Sequence, residues 1–419
     1  MTPEVKERIE QIRHGKVPEG YKKTAAGIMP KTWRQVRIGG VCVVNPLRPK
    51  KQEERVTFLG MADVSEEGRL INPNIVDYTK VSKGFTPFER GDILVAKITP
   101  CFENGKGADT NALPTQQGYG STEFHVLRCK DVDRRYMFLH TMSYEFRKKL
   151  ESEMTGSAGQ KRVQTESVAS YLLGLPSADE QQRIAEILTV QDKAIELKEK
   201  LMAEKQRQKK YLIQQLLTGK KRLSGFDGEW KKVKLKKLLK ERKTYSPKGA
   251  EYPHVTLSTE GIYAKSERYD RDHLVKNDDK EYKITHRGDI CYNPANLKFG
   301  VICMNNFGDA IFSPIYVTFE VIGKVCPEFL AAYLMRWDFI NAVRKYEEGT
   351  VYERMAVKPE DFLKFEMMLP PYEEQVAIAK ILSTADKEIE LHRQDLEQEK
   401  QKKKALMQLL LTGIVRVNA

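Results

Sequence analysis

The sequence predicts an α+β protein: two mixed domains and two long coiled-coil helices, arranged as an internal repeat with pseudo-twofold symmetry. Three observations predict it. A 45-residue stretch occurs twice without a gap, at 175–219 and 369–413. Each copy holds about 40 consecutive residues free of internal proline and glycine, or roughly 60 Å of helix at 1.5 Å per residue. The segments between the copies carry short alternating, β-branched stretches of strand length.

The duplication organises the chain. At a constant offset of 194, 21 of the 45 positions are identical, among them Glu180/Glu374, Gln181/Gln375, Asp192/Asp386, Lys193/Lys387 and a closing Thr-Gly. The flanking segments repeat more faintly: Trp33-x-x-Val36 matches Trp230-x-x-Val233, and Arg90-Gly-Asp-Ile93 matches Arg287-Gly-Asp-Ile290. Five segments follow: an N-terminal helical piece (1–21), a first mixed domain (22–173), a first long helix (174–223), a second domain (224–367) and a second long helix (368–419). Within the first piece, Arg8–Lys16 lines up with Leu212–Lys220, the tail of the first long helix.

In the domains, Val56–Val64, Asp92–Ile98, Phe124–Leu127, His254–Leu257, Ile290–Tyr292 and Ile315–Val321 read as strands. Tyr136–Glu151 and Pro327–Lys345 read as helices, with core aromatics at helical spacing. Each long helix opens after Leu-Pro, with acidic residues such as Asp179 and Glu180 in a first turn where they favour the helix dipole. Gly219 and Gly413 end the pattern. Ile184, Leu188, Ile195, Met202, Leu212 and Leu216 form one heptad seam; Ile378, Leu382, Ala385, Ile389, Leu396, Leu406 and Leu410 form the other. Both seams are interrupted at Lys198/His392, Lys205/Glu399 and Lys209/Lys403. So polar a seam does not persist alone, and each helix is expected to pack on the other or on a partner.

Composition narrows the class. With 40% hydrophobic residues each domain can build a core, and 71 Lys+Arg against 58 Asp+Glu give a net charge of +13, which favours a polyanionic partner. The six cysteines form no C-x-x-C pair and lie near no histidine with ligand spacing, as expected of buried thiols in a reducing cytoplasm. The charged N-terminus resembles no signal peptide, and no run of about 18 apolar residues occurs, so no membrane partner is expected. No G-x-x-x-x-G-K-[ST] loop is present. Leu369-Pro-Pro-Tyr372 mimics the Asn/Asp-Pro-Pro-aromatic motif of adenine methyltransferases, but leucine cannot hold an amino group; Asn293-Pro-Ala-Asn296 lacks the second proline and the aromatic. The seven histidines show no paired spacing, and no metal site is expected.

Leu-Pro-x-x-x-Glu-Gln, then Ile-Ala-x-Ile-Leu, a long helix and Leu-Leu-Thr-Gly, twice in one chain, closely resembles the specificity subunit of type I restriction-modification systems, as does the Trp-x-x-Val opening of each domain. The resemblance covers the whole chain, although the N-terminal piece repeats the central helix only in part. It implies two target-recognition domains, each reading one half of a split, asymmetric site in double-stranded DNA. It implies that the long helices pack antiparallel, set the spacing and dock two modification (methyltransferase) subunits. The openings of the helices, Glu180, Gln181, Ile184, Ile187 and Leu188 with Glu374, Gln375, Ile378, Ile381 and Leu382, are the positions it nominates for that docking. It further implies restriction (translocase and nuclease) subunits in the assembly, S-adenosylmethionine and ATP on the partner subunits, and neither cofactor nor catalytic residue here. The rival readings are a stand-alone DNA methyltransferase or nuclease, and a basic coiled-coil scaffold.

Within the domains, loops that follow strands and carry amide or basic side chains are the candidates for DNA contact. Amides pair bidentately with adenine, and Arg or Lys with guanine. In the first domain these are Lys97, Thr99, Asn104 and Lys106; the matching stretch of the second offers Tyr292, Asn293, Asn296 and Lys298. A second loop supplies Gln160, Lys161 and Arg162, matched by Tyr352 and Arg354. The competing reading for each is an ordinary solvated loop residue. Lys400–Lys404 reads as a solvated helix face.

Overall fold

The computed structural model describes residues 2–48, 53–157, 159–247, 251–265, 281–346 and 356–417. The chain divides into two compact units, Met1–Glu199 with Gln394–Ala419, and Lys200–Arg393. Each unit therefore holds one mixed domain and part of both long helices, so the divisions fall inside the helices rather than at their ends.

In the first unit an antiparallel sheet runs in the order Cys42–Val44, Phe124–Cys129, Ile93–Ala96, Gly107–Asp109. Ile93–Ala96 is buried at every position. Its alternating side chains serve two cores. Ile93 and Val95 pack with Tyr136, Met137 and Phe146 of the helical layer. Leu94 and Ala96 pack with Leu59, Phe88 and Val126 towards a second four-stranded sheet. That second sheet, Asn74–Asp77, Arg55–Leu59, Gln117–Gly120, Thr86–Glu89, has one parallel pair. The expected strand Val56–Val64 stops at Leu59, because the Asp63 carboxylate accepts the Gly60 N–H at 2.7 Å and closes a turn.

The expected helix Tyr136–Glu151 is two helices, Arg134–Met142 and Tyr144–Glu151. Ser143 breaks it: its hydroxyl donates to His140 O at 2.8 Å and accepts the Phe146 N–H at 3.3 Å, capping the second helix. In the second unit the expected helix Pro327–Lys345 likewise divides into Pro327–Leu334 and Trp337–Val343. There the sheet order Leu239–Glu241, Val317–Val321, Ile290–Tyr292, Ile302–Met304 repeats that of the first unit.

The Trp-x-x-Val motif has a structural meaning in both copies. Val36 pairs with Leu173 and Val233 with Met367, in two-stranded ladders that tie the start of each domain to the strand leading into the following long helix.

The long helices span Ala178–Leu216 and Tyr372–Leu411. In the first unit Asp192 meets Lys403 and Lys198 meets Asp395; in the second, Lys205 meets Glu388 and Lys209 meets Asp386. One number rises as the other falls, so the helices are antiparallel in each unit. The polar interruptions of the seam are where these cross-helix pairs form. The pairs are partly exposed, and solvent screening leaves them little weight in stability. The anchoring lies at the helix ends, where buried leucines contribute roughly 2 kcal/mol apiece. Ile184, Leu188, Leu410 and Leu411 enter the core of the first domain, and Leu216, Leu217, Ile378 and Leu382 that of the second.

The N-terminal piece is a helix, Pro3–Arg13, capped by the Thr2 hydroxyl and ended by Gly15 at φ 72°. Gly219 (φ 70°) and Gly413 (φ 71°) end the long helices in the same left-handed conformation, in keeping with the alignment of Arg8–Lys16 on the first helix tail. Arg8 donates to Ile414 O at 2.8 Å, and the Tyr21 hydroxyl to Gly413 O at 2.8 Å.

Candidate nucleic-acid interface

The loops that carry the candidate residues stand on a frame built twice from the same parts. In the first unit Trp33 is buried and its indole Nε1–H donates to Glu180 Oε2 at 3.0 Å, while Arg416 clasps the same carboxylate at 2.6 and 2.8 Å. In the second unit Trp230 Nε1–H donates to Glu374 at 3.1 Å, and Arg222 clasps it at 2.6 and 2.8 Å. The neighbouring amide repeats too. Gln181 donates to Pro176 O (3.0 Å) and accepts the Asp133 N–H (2.8 Å); Gln375 donates to Pro370 O (2.8 Å) and accepts the Cys326 N–H (2.9 Å).

This corrects the expected docking residues. Glu180, Gln181, Ile184 and Leu188, with Glu374, Gln375, Ile378 and Leu382, are buried within their own units. Ile381 packs against the second core. The carboxylates and amides are satisfied internally, and the aliphatics fill the domain cores, which leaves the eight buried residues no surface to offer; Ile381 is half-buried. Ile187 alone of the set is exposed, at 39%. Glu180 lies in the first turn of its helix, as expected, and also accepts an ion pair from Arg416.

In the first unit the two candidate loops come together. Ile98 bridges Arg162; Thr99 N donates to Lys161 O at 3.0 Å and Val163 N to Lys97 O at 2.8 Å. Gly156 makes this return possible: its φ is +127°, and a Cβ there would lie 2.8 Å from Gln160 O. Gln160, Lys161, Arg162 and Asn104 are exposed; Lys97, Thr99 and Lys106 are half-buried. Several already have partners. Thr99 donates to Glu103 at 2.6 Å, Asn104 to Glu66 at 3.1 Å, and Lys106 to Met61 O at 2.9 Å. Arg162 makes a two-pronged pair with Glu123. Burial pushes the Lys97 ammonium below its usual range, and the Arg162 guanidinium holds the Glu123 carboxyl below its own. His125 lies behind them. Its Nε2–H donates to Val163 O at 2.9 Å, and burial lowers its pKa, which keeps the ring neutral.

The second unit differs. Tyr292 is fully buried, packs in a three-ring cluster with Phe319 and Phe362, and donates its hydroxyl to Val357 O at 2.9 Å. It is a core residue, not a DNA contact. Asn293 is also buried: its side-chain oxygen accepts the N–H groups of Ala295 (3.1 Å) and Asn296 (3.2 Å), shaping the turn. Asn296 is exposed and Lys298 half-buried over the exposed Phe299 ring. Tyr352 and Arg354 lie outside the described residues.

Two contributions escape a reading of the sequence, and a third was missed. Glu123, at the centre of the first surface, sits in no motif. Arg147 is buried and supports the loop from below, donating to Phe102 O at 3.0 Å and Gly105 O at 3.2 Å. Burial lowers its pKa to about 9. Arg222 and Arg416 were within reach, because they keep the 194-residue offset three positions past Thr-Gly.

A duplicated α+β frame on antiparallel helices, with divergent polar loops on each copy, is a known class: the chain belongs to the type I restriction modification DNA specificity domain family, which matches residues 30–205 and 227–400. Among its relatives are the type I restriction enzyme EcoAI specificity subunit of Escherichia coli, 35% identical over 188 residues (42% of this chain, 32% of the relative), and the EcoEI specificity subunit of the same species, 33% identical over 190 residues (42% and 32%). The chain spans about a third of the length of these curated relatives in each match. A solved chain from work on complex assembly and conformational transition of the type I R-M system covers 92% of this chain and 99% of its own, with a TM-score of 0.59 at 17% identity, a likeness of fold.

Proposed function

We propose that this chain is the non-catalytic DNA-reading subunit of a type I restriction-modification assembly. Each domain reads one half of a bipartite, asymmetric site in double-stranded DNA. The antiparallel helices set the spacing, and modification subunits docked on the chain bring S-adenosylmethionine and the chemistry; restriction subunits bring ATP-driven steps. Besides family membership, one observation supports this reading: the Trp–Glu–Arg frame is reproduced bond for bond in both units, while the candidate loops share little beyond the match of Arg162 with Arg354. Identical frames with unlike loops suit two readers of unlike half-sites. In the first unit Lys97, Thr99, Asn104, Lys106, Gln160, Lys161 and Arg162 form the reading surface; in the second, Asn296 and Lys298 belong to it. The net charge of +13 supplies the phosphate attraction that such contacts need.

The test is a domain exchange. Replacing residues 22–173 by the corresponding domain of another specificity subunit, and mapping methylated bases in cells that carry the complete system, is expected to change one half of the modified site and leave the other. A simultaneous change in both halves sinks the modular reading.

A further inference from the structure

Glu123 grips one edge of Arg162. Nε and Nη2 of the guanidinium lie 3.0 Å from Oε2 and 3.0 Å from Oε1 of the carboxylate. A guanidinium has five N–H donors in a rigid fork. This grip uses Nε–H and one Nη2–H, and leaves outside the contact both Nη1 hydrogens and the second Nη2 hydrogen. Those at the tip of the fork have the parallel spacing that matches O6 and N7 of guanine in the major groove.

The backbone beneath is fixed as well. Arg162 N donates to Thr155 O at 2.8 Å, and Thr155 N to Arg162 O at 3.0 Å. The carboxylate is held in turn, because the Glu123 carbonyl accepts the Lys97 N–H at 2.9 Å and its N–H reaches the Ser121 hydroxyl at 3.2 Å. Side-chain exposures of 44% and 25% make the pair too solvated to add appreciably to stability. Its consequence is orientation: the most flexible part of the arginine is set before any partner arrives. Lys161 next to it is exposed and is a point charge without such a fork.

We propose that Arg162, aimed by Glu123, reads a guanine in the half-site of the first domain, and that Glu123 is a positioning residue for that one base. This rests on the proposed function. The experiment selects bound duplexes from a randomised library, using the complete complex. The wild-type protein is expected to fix a guanine at one position of one half-site. Arg162→Lys is expected to relax that position by about 10- to 100-fold while every other position holds. Glu123→Gln, which keeps the shape and removes the carboxylate charge, is expected to relax the same position more weakly.

Three results decide against the proposal. If Arg162→Lys weakens all sequences alike and lowers the salt dependence by about one phosphate contact, Arg162 holds the backbone and reads nothing. If Glu123→Gln leaves guanine selection untouched, the positioning role is wrong. If the wild-type complex selects no bipartite motif, the proposed function itself fails; selection that survives both variants removes this inference alone. Second-domain positions that stay fixed show that the variants are folded.

Discussion

Arg416 and Glu180 are 236 positions apart in sequence, yet the guanidinium Nε lies 2.6 Å from the carboxylate Oε1. Arg222 and Glu374 repeat the contact at 2.6 Å. In each unit the arginine comes from just past the end of one long helix, and the glutamate from the first turn of the other. Each helix end is thereby locked to the start of its antiparallel neighbour, beneath the tryptophan that opens the domain. Glu374 is fully buried and Glu180 nearly so, so their charges depend on these partners.

Removing the arginine should therefore cost more than an exposed ion pair. Arg416→Met is expected to destabilise the first unit by about 2 kcal/mol, less than a fully buried pair because the arginine is itself partly exposed. Amide exchange in the ladder of Arg34–Arg37 with Leu172–Leu175 should quicken, while the ladder of Lys231–Lys234 with Glu366–Leu369 keeps its protection. Arg222→Met should give the mirror result. Equal loss of protection in both ladders for either variant would show that the clamp is not local.

His140 makes the first unit sensitive to acid. The ring is wholly buried, its Nε2 has no hydrogen-bond partner, and burial lowers its pKa to about 4 from an ordinary 6.5. The unfolded chain binds a proton there that the folded chain refuses. Stability is therefore unaffected at pH 7 and is lost as pH falls from about 6.5 to about 4, by up to ~3 kcal/mol. His125, depressed in the same direction, adds to the loss. Denaturant melts of His140→Leu between pH 7 and pH 4.5 should show a flatter acid limb than the wild type. A parallel limb would mean that other groups govern the acid response.

How far the sequence reveals the molecule depends on how local the deciding interaction is. The repeat displays the long helices, their breakers and the correspondence of Val36 with Val233, because these rest on periodicity and on residues with one conformational job. The break at Ser143 is invisible to a hydrophobic count, since a hydroxyl cap competes with helix propagation only once both sides can turn. The heptad pattern tells only half of what Ile184 and Ile378 do. They do share a cluster with the other helix, Ile184 with Leu410 and Ile378 with Leu216, but those clusters are also the domain cores. The candidate site divides along the same line. Lys161 and Arg162 are polar and land on the surface. Tyr292 and Asn293 have equally suitable chemistry, but whether such a residue faces out is decided by the strand above it, and these two face in. Glu123 joins Arg162 across 39 positions with no pattern between them.

The burial of Tyr292 separates a stability effect from a recognition effect. Tyr292→Phe keeps the stack with Phe319 and Phe362 and leaves Val357 O without its donor. It should cost about 1 kcal/mol of stability and leave the selected DNA sequence unchanged. Asn296→Ala, on the exposed side of the same turn, should leave stability within about 0.5 kcal/mol and alter selection in the second half-site only. A change of sequence preference in the tyrosine variant would return that residue to the reading surface.

The helix pair offers a test of spacing that leaves both readers intact. Cross-helix pairs such as Lys198 with Asp395 and Lys205 with Glu388 require the two helices to stay in register. Seven residues inserted after Lys200 and seven after Arg393 preserve that register and the heptad phase, and they lengthen the pair by about 10 Å, or roughly three base pairs. Under the proposed function the two half-sites keep their sequences while the gap between them grows by about that amount. Seven residues inserted in one helix alone break the cross-pairs, and the protein should lose stability and site selection together. If the doubly lengthened protein still modifies sites with the original gap, the helices do not set the spacing, and the measuring role has to be sought in the domains themselves.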